Sequence, residues 1–272
     1  MTLEKERLHW EQEASKEPLP PNICSRKENI SGVNCLWVSD ENSKNERALL
    51  YLHGGGLISG SATTHLNFAA RVAELTGLSV LLVNYRLLPE HEYPAPLDDA
   101  LTVYHALISS QVFSHNQVVI GGDSSGGGLV LAMLVQLKES GTQLPSCAFA
   151  VSGTFDMTLS GQSMQTNSGL DPMLSFDELK EWQEKYLSFD LTSPILSPMY
   201  ADLSGLPPIS LIAGGKELWL SDSQRVAEKI KRENGRVEYR VWESMGHVWV
   251  MDSELKESNE ALIEINNFVS KY

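Results

Sequence analysis

The stretch Gln117-Val-Val-Ile-Gly-Gly-Asp-Ser-Ser-Gly-Gly-Gly128 decides how the chain is read. It starts as a short β-branched, apolar run and ends in a cluster of glycines. Leu129 to Lys138 then follow with helix-forming residues. The pattern predicts a strand, a sharp turn and a helix. Within the turn, Gly122-Asp-Ser-Ser-Gly126 fits G-x-S-x-G and is the only match in the chain. Two serines are adjacent, but only Ser124 has glycine at both −2 and +2. A serine at the tip of such a turn sits in a strained backbone conformation, and side chains two residues away would collide with it. Ser124 is therefore expected to stand exposed above a helix N-terminus, where the dipole favours developing negative charge. A glycine-rich turn with no chemistry is the alternative.

Working outward, apolar strands alternate with helices. Ala48 to His53, Ser79 to Tyr85, Cys147 to Val151, Pro208 to Ala213 and Val237 to Trp242 read as strands around the central one. Ile23 to Ile30 and Val33 to Ser39 read as a hairpin turning at Ser31-Gly32. Residues 1–17, Thr64 to Leu75, a stretch ending near Ser109, and Glu254 to Val269 read as helices. This alternation implies a largely parallel sheet covered on both faces. Residues 154–207 break it. They are far more than a β–α connection needs, and they carry Met157, Met164, Met173, Phe176, Trp182 and Tyr186. A polar insertion studded with large apolar residues is expected to act as a lid.

Composition narrows the function. The chain has 272 residues and suits one α/β domain with an insertion. Its formal net charge of −14 argues against nucleic acid or an anionic membrane as partner. Three widely spaced cysteines, Cys24, Cys35 and Cys147, suggest reduced thiols in a cytoplasm. The charged start, Met1-Thr-Leu-Glu-Lys-Glu-Arg7, has no signal-peptide character, and no apolar run is long enough for a membrane span. There is no G-x-G-x-x-G, no Walker sequence and no H-E-x-x-H, so no nucleotide, metal or other cofactor is expected. Asp98-Asp99 reads as a helix-start feature, and Arg86 with Glu90 as a buried pair that stiffens a proline-marked loop.

A serine nucleophile needs a base, an orienting acid and donors for an oxyanion. His247, in Ser244-Met-Gly-His-Val-Trp249, lies after the last strand and before the last helix, which is the chain order and sheet edge required of the base. His9, His65, His91, His105 and His115 hold no special position. The acid should follow the strand Pro208 to Ala213, where Gly214-Gly-Lys-Glu-Leu-Trp-Leu-Ser-Asp-Ser223 offers Glu217 and Asp222. Glu217 comes directly off the strand and is preferred. Asp222 also suits a first-turn carboxylate on the following helix. The oxyanion donors are expected from Gly55 and Gly56 in His53-Gly-Gly-Gly56, at a strand end, together with Ser125 just after the nucleophile. Each such N–H is worth about 3–4 kcal/mol in the transition state.

Taken together, His53-Gly-Gly-Gly56, Tyr85-Arg-Leu-Leu-Pro-Glu90, Gly122-Asp-Ser-Ser-Gly-Gly127 and Ser197-Pro-Met-Tyr-Ala-Asp-Leu-Ser-Gly-Leu-Pro-Pro208 resemble the hormone-sensitive-lipase-like branch of the α/β-hydrolases. The resemblance runs from about residue 47 to the C-terminus. It implies an eight-stranded, mostly parallel sheet with a helical cap built from about 1–20 and 154–207. It places the nucleophile on Ser124, the base on His247 and the oxyanion donors on Gly55, Gly56 and Ser125. The family often has Asp in an Asp-Pro-Leu setting as its acid, where this chain has Glu217-Leu-Trp-Leu-Ser-Asp222, which looks like a Glu-bearing variant. The expected activity is hydrolysis of small carboxylic esters of short to medium acyl chain through an acyl-enzyme, with Leu57, Met157, Met173, Phe176, Trp219 and Trp249 lining the pocket. A lactone hydrolase using the same groups and a non-catalytic small-molecule-binding protein on the same scaffold are the alternatives. Nothing in the sequence decides the oligomeric state.

Overall fold

Period-two side-chain alternation along buried strands sorts the apolar residues onto two faces of one sheet. In the computed structural model, which describes residues 2–43 and 46–272, Leu50 and Leu52 of strand β3 (Ala48–Leu52) enter one core while Leu49 and Tyr51 enter the other. Strand β4 (Ser79–Asn84) repeats this, with Leu81 and Val83 on one face and Val80 and Leu82 on the other. Both faces are apolar because both are covered. Helices α2 (Leu66–Thr76) and α8 (Lys256–Val269) cover the second face. Helices α3 (Ala95–Ser109), α4 (Ser124–Glu139) and α7 (Leu220–Arg232) cover the first.

The sheet has eight strands in the order β1-β2-β4-β3-β5-β6-β7-β8. Strands β1 (Ile23–Ile30) and β2 (Val33–Asp40) form the expected hairpin, which adds antiparallel to β4. The remaining pairings, among β3, β4, β5 (Val118–Asp123), β6 (Cys147–Val151), β7 (Ile209–Gly214) and β8 (Val237–Trp242), are parallel. A parallel arrangement puts the carboxyl ends of β3, β5, β7 and β8 along one edge, where an α/β sheet places its ligands. Residues 154–207 contain the single-turn helix α5 (Ser163–Thr166), helix α6 (Phe176–Tyr186) and a 3₁₀ turn at Pro198–Tyr200. Ser175 and Glu178 close α6 with a reciprocal capping box.

Helix α1 (Leu3–Ala14) has no buried residue. Its attachment to the body is polar. Arg7 ion-pairs with Glu90 at 2.9 Å, so the expected Arg86–Glu90 pair is not formed. Arg86 instead forks onto Asp99 at 2.8–3.0 Å, and Asp99 is thereby a loop clamp rather than only a helix-start carboxylate. Asp98, one residue earlier, remains in the first turn of α3.

Candidate active site

The turn after β5 is built as the glycine spacing predicts. Ser124 has a left-handed backbone, φ 51°, at the first residue of α4, a conformation worth about 1–3 kcal/mol of strain in a non-glycine residue. A side chain at Gly126 would run into the backbone carbonyls of Leu52 and His53, and one at Gly122 into the backbone of Gly126. The helix therefore packs directly against the end of β3. Its first N–H groups, including that of Ser125, have no partner further up the helix.

Glu217 and His247 arrive at the same edge on the chain leaving β7 and β8. His247 Nε2 lies 2.8 Å from Ser124 Oγ. Its Nδ1 lies 3.5 Å from Glu217 Oε2, an ion-pair distance that a hydrogen bond would tighten as charge develops on the imidazole. Glu217 is fully buried, and burial raises its pKa, although His247 pulls the other way. Asp222 does not approach His247. It accepts from the N–H groups of Phe155 and Asp156 and pairs with Arg225 at 2.6 Å. Asp156, also fully buried, takes the other arm of Arg225 at 3.0 Å. Two buried carboxylates thus share one guanidinium at the base of the insertion. Burial, with the charge of Asp156 adding to it, pushes Asp222 up to about 7 in spite of Arg225.

The chain leaving β3 makes a tight turn of successive left-handed residues, with φ 116° at Gly55, 63° at Gly56 and 61° at Leu57. The Gly55 carbonyl accepts from Ile58 N at 3.2 Å and Ser59 N at 2.9 Å, while the N–H of Leu57 donates to Ser125 Oγ at 3.2 Å. Among the described residues no hydrogen bond engages the N–H groups of Gly55 and Gly56. They remain open to an acceptor.

Beneath this turn lies a polar network that the sequence did not announce. Asp123, directly before Ser124, is buried and accepts from Tyr51 Oη at 2.9 Å and Gly54 N at 3.0 Å. Burial pushes its carboxyl up, but the facing His65, 3.2 Å away, and the hydrogen bonds from His65 and Tyr51 outweigh this and hold it below the ordinary aspartate range. His65, which had no evident role in the sequence, therefore belongs to the support of the site. His53 stacks on Tyr85 with ring centroids 4.1 Å apart. Burial, with His65 nearby, lowers its pKa to about 3, so it is a neutral prop. The position of Asp123 beside Ser124 was the one available signal for this network.

The expected pocket residues fall in different places. Leu57, Met157 and Trp219 are buried in the core cluster that also receives Phe176 and Trp182. Trp249 packs in the opposite core, beside Trp242 with centroids 6.2 Å apart. Met173 is 58% exposed. A residue not singled out for the pocket, Trp182 of α6, lies against Gly56: its Nε1 is 3.3 Å from where a Gly56 side chain would start.

Comparison with known proteins bears on the fold and the family. The family profile for the alpha/beta hydrolase fold matches residues 49–251. The chain is 32% identical to an esterase of Acinetobacter venetianus over 93% of its length and 84% of that protein. It is 34% identical to an acetyl-hydrolase of Streptomyces hygroscopicus over 75% of its length and 68% of that protein. An esterase crystal structure from the bacterial hormone-sensitive lipase family superposes with a TM-score of 0.95 at 33% identity, covering all of this chain and 92% of the other. The chain belongs to the α/β-hydrolases, in their hormone-sensitive-lipase-like branch.

Proposed function

We propose that the protein is a serine carboxylesterase acting on small esters of short to medium acyl chain, with Ser124, His247 and Glu217 as its triad and a cap made of α1 and residues 154–207. The observation that carries this is the 2.8 Å contact between Ser124 Oγ and His247 Nε2, with Glu217 behind the imidazole. A protein that only binds its ligand has no need of that contact. Ser124 Oγ attacks the ester carbonyl carbon while its proton passes to His247 Nε2. The carbonyl oxygen becomes an oxyanion held by the N–H groups of Gly55, Gly56 and Ser125. As the tetrahedral intermediate collapses, the C–O bond to the alcohol breaks and the imidazolium returns its proton to the leaving oxygen. A water then attacks the acyl-Ser124, giving its proton to His247, and the acid departs as Ser124 recovers the proton. Glu217 stabilises the imidazolium in both halves.

The support for a small substrate is steric. Trp182 lies on Gly56, so the proposed cap closes down onto the donor turn, and Leu57, Met157 and Trp219 are buried in the same core cluster that Trp182 packs against. No helix among the described residues is long and apolar enough to cross a membrane. Cys24, Cys35 and Cys147 are free thiols, which supports a reducing, cytoplasmic setting. The test is hydrolysis of p-nitrophenyl esters from acetate to palmitate, with simple lactones in the same panel and Ser124→Ala in parallel. Turnover that peaks at short acyl chains and collapses in the variant is expected. Best turnover on palmitate overturns the chain-length reading, and no turnover on any substrate overturns the esterase reading itself.

A further inference from the structure

The donor turn is held in an unfavourable shape, and part of what holds it comes from the N-terminal helix. Three consecutive residues, Gly55, Gly56 and Leu57, have positive φ, and a β-carbon at the last of them makes the conformation persist only where the surroundings impose it. Asp123 fixes the entry to the turn through Gly54 N. Its exit is fixed by Arg7. The Nε of Arg7 donates to the carbonyl of Ile58 at 2.6 Å, and Nη2 donates to the carbonyl of Leu88 at 2.6 Å. Nη1 and Nη2 each reach Glu90 at 2.9 Å. The two carbonyl segments are themselves tied together, because Leu88 N donates to the carbonyl of Leu57 at 2.9 Å.

The geometry around Arg7 is out of proportion to the helix that carries it. Leu8 and Trp10 of α1 are 54% and 44% exposed, and no α1 residue is buried. Apolar burial therefore contributes little to docking α1, while one planar fork satisfies two backbone carbonyls and a carboxylate. A guanidinium can do this and an ammonium cannot. Turning the Ile58–Ser59 peptide would release its carbonyl from Arg7 and disturb the Gly55 carbonyl, which accepts from Ser59 N, in that same peptide, at 2.9 Å. That carbonyl belongs to the same peptide as the Gly56 N–H, so the donor's direction follows.

We propose that Arg7 is a positioning residue for the oxyanion donors: docked through Arg7, helix α1 holds the 55–58 turn in the shape that points the Gly55 and Gly56 N–H groups at the substrate oxygen. The catalytic part of this rests on the esterase reading, while the structural coupling does not. It makes helix α1 a component of the catalytic geometry.

The test uses the full chain with Arg7→Met, Arg7→Lys and Glu90→Gln. For p-nitrophenyl acetate, Arg7→Met should lower kcat by about tenfold to a hundredfold, the usual effect of loosening a catalytic group by an ångström or less, with KM changed by no more than about threefold. Arg7→Lys should recover part of kcat, since one donor can still reach Ile58 O. Glu90→Gln, which leaves both carbonyl contacts in place, should stay within about threefold of the parent. Hydrogen exchange measured by mass spectrometry should show the 54–59 peptide exchanging faster in Arg7→Met, with peptides from β5 and β6 unchanged. Unchanged exchange in 54–59 overturns the proposal whatever the kinetics. So does a variant in which KM or thermal stability moves and kcat does not. If the parent protein hydrolyses no ester, the esterase reading fails, and the exchange measurement alone still decides whether Arg7 holds the turn.

Discussion

Replacing Glu217 with glutamine tests the acid with almost no change of shape. The carboxylate sits 3.5 Å from His247 Nδ1 in a buried site. With an effective dielectric of about 20, a unit charge at that distance stabilises the imidazolium by about 5 kcal/mol. At 1.36 kcal/mol per tenfold, that corresponds to a fall in kcat of about 10³ to 10⁴. The amide can fail in two ways. With its oxygen toward Nδ1 it keeps the imidazole tautomer but supplies no charge. With its nitrogen toward Nδ1 it favours the other tautomer, whose Nε2–H cannot accept the Ser124 proton. KM should change little, because Glu217 acts on a charge that exists only as the reaction proceeds. The thermal midpoint should hold or rise, since burial disfavours the ionised carboxyl and the amide removes that penalty. The assay is steady-state hydrolysis of p-nitrophenyl acetate, with Asp222→Asn measured beside it. Retention of kcat within about tenfold in Glu217→Gln, together with collapse in Asp222→Asn, would refute the assignment and move the acid to Asp222.

Other consequences are smaller in scope. The pKa of Asp222, about 7 in the fold against an ordinary 3.8, means the unfolded chain releases this proton first. Its contribution to stability is therefore complete below 3.8 and lost as pH rises through about 7. The stability of Asp222→Asn relative to the parent, followed by thermal melts across that window, should become more favourable with rising pH, while kcat stays within about threefold. Gly126→Ala should cost at least about 1–3 kcal/mol in urea unfolding, because its new methyl meets backbone at Leu52 and His53 that cannot step aside. Trp182→Ala should move the acyl-chain optimum on the p-nitrophenyl series toward longer chains, by opening the wall above Gly56. An unchanged optimum would remove Trp182 from the pocket.

What could be read from the sequence followed local periodicity. Strands β3 to β6 are runs of apolar residues bounded by glycine or polar turns, and their alternation with helices is enough to imply a parallel sheet. Once the sheet is parallel, chain order brings Ser124, Glu217 and His247 to one edge, because each follows a strand that ends there. What could not be read was polar pairing across the fold. Arg86 has a carboxylate four residues on at Glu90 and another at Asp99, and it takes the farther one. The helical start of α3 turns Asp99 back toward the loop, while Glu90 is drawn to Arg7. No periodicity marks Arg7, since α1 has no apolar stripe to show which way it faces. His65 looked like an ordinary residue at a helix start. Its partner, Asp123, is close only because β3 and β5 are neighbours in the sheet.

These unforeseen pairs share a location. Asp123 holds Gly54, Arg7 holds Ile58 and Leu88, and Trp182 lies on Gly56. Each meets the turn between β3 and α2, whose proposed oxyanion donors must be rigid before the charge they serve appears. The proposed nucleophile and base, Ser124 and His247, are fixed by single elements, a strand–helix turn and a loop, so local sequence specifies them. The donor turn is fixed from β5, α1 and α6 together. Its positive-φ backbone is unstable alone and is held by contacts distant in sequence, so the least legible part of the site is also the part most dependent on the complete fold.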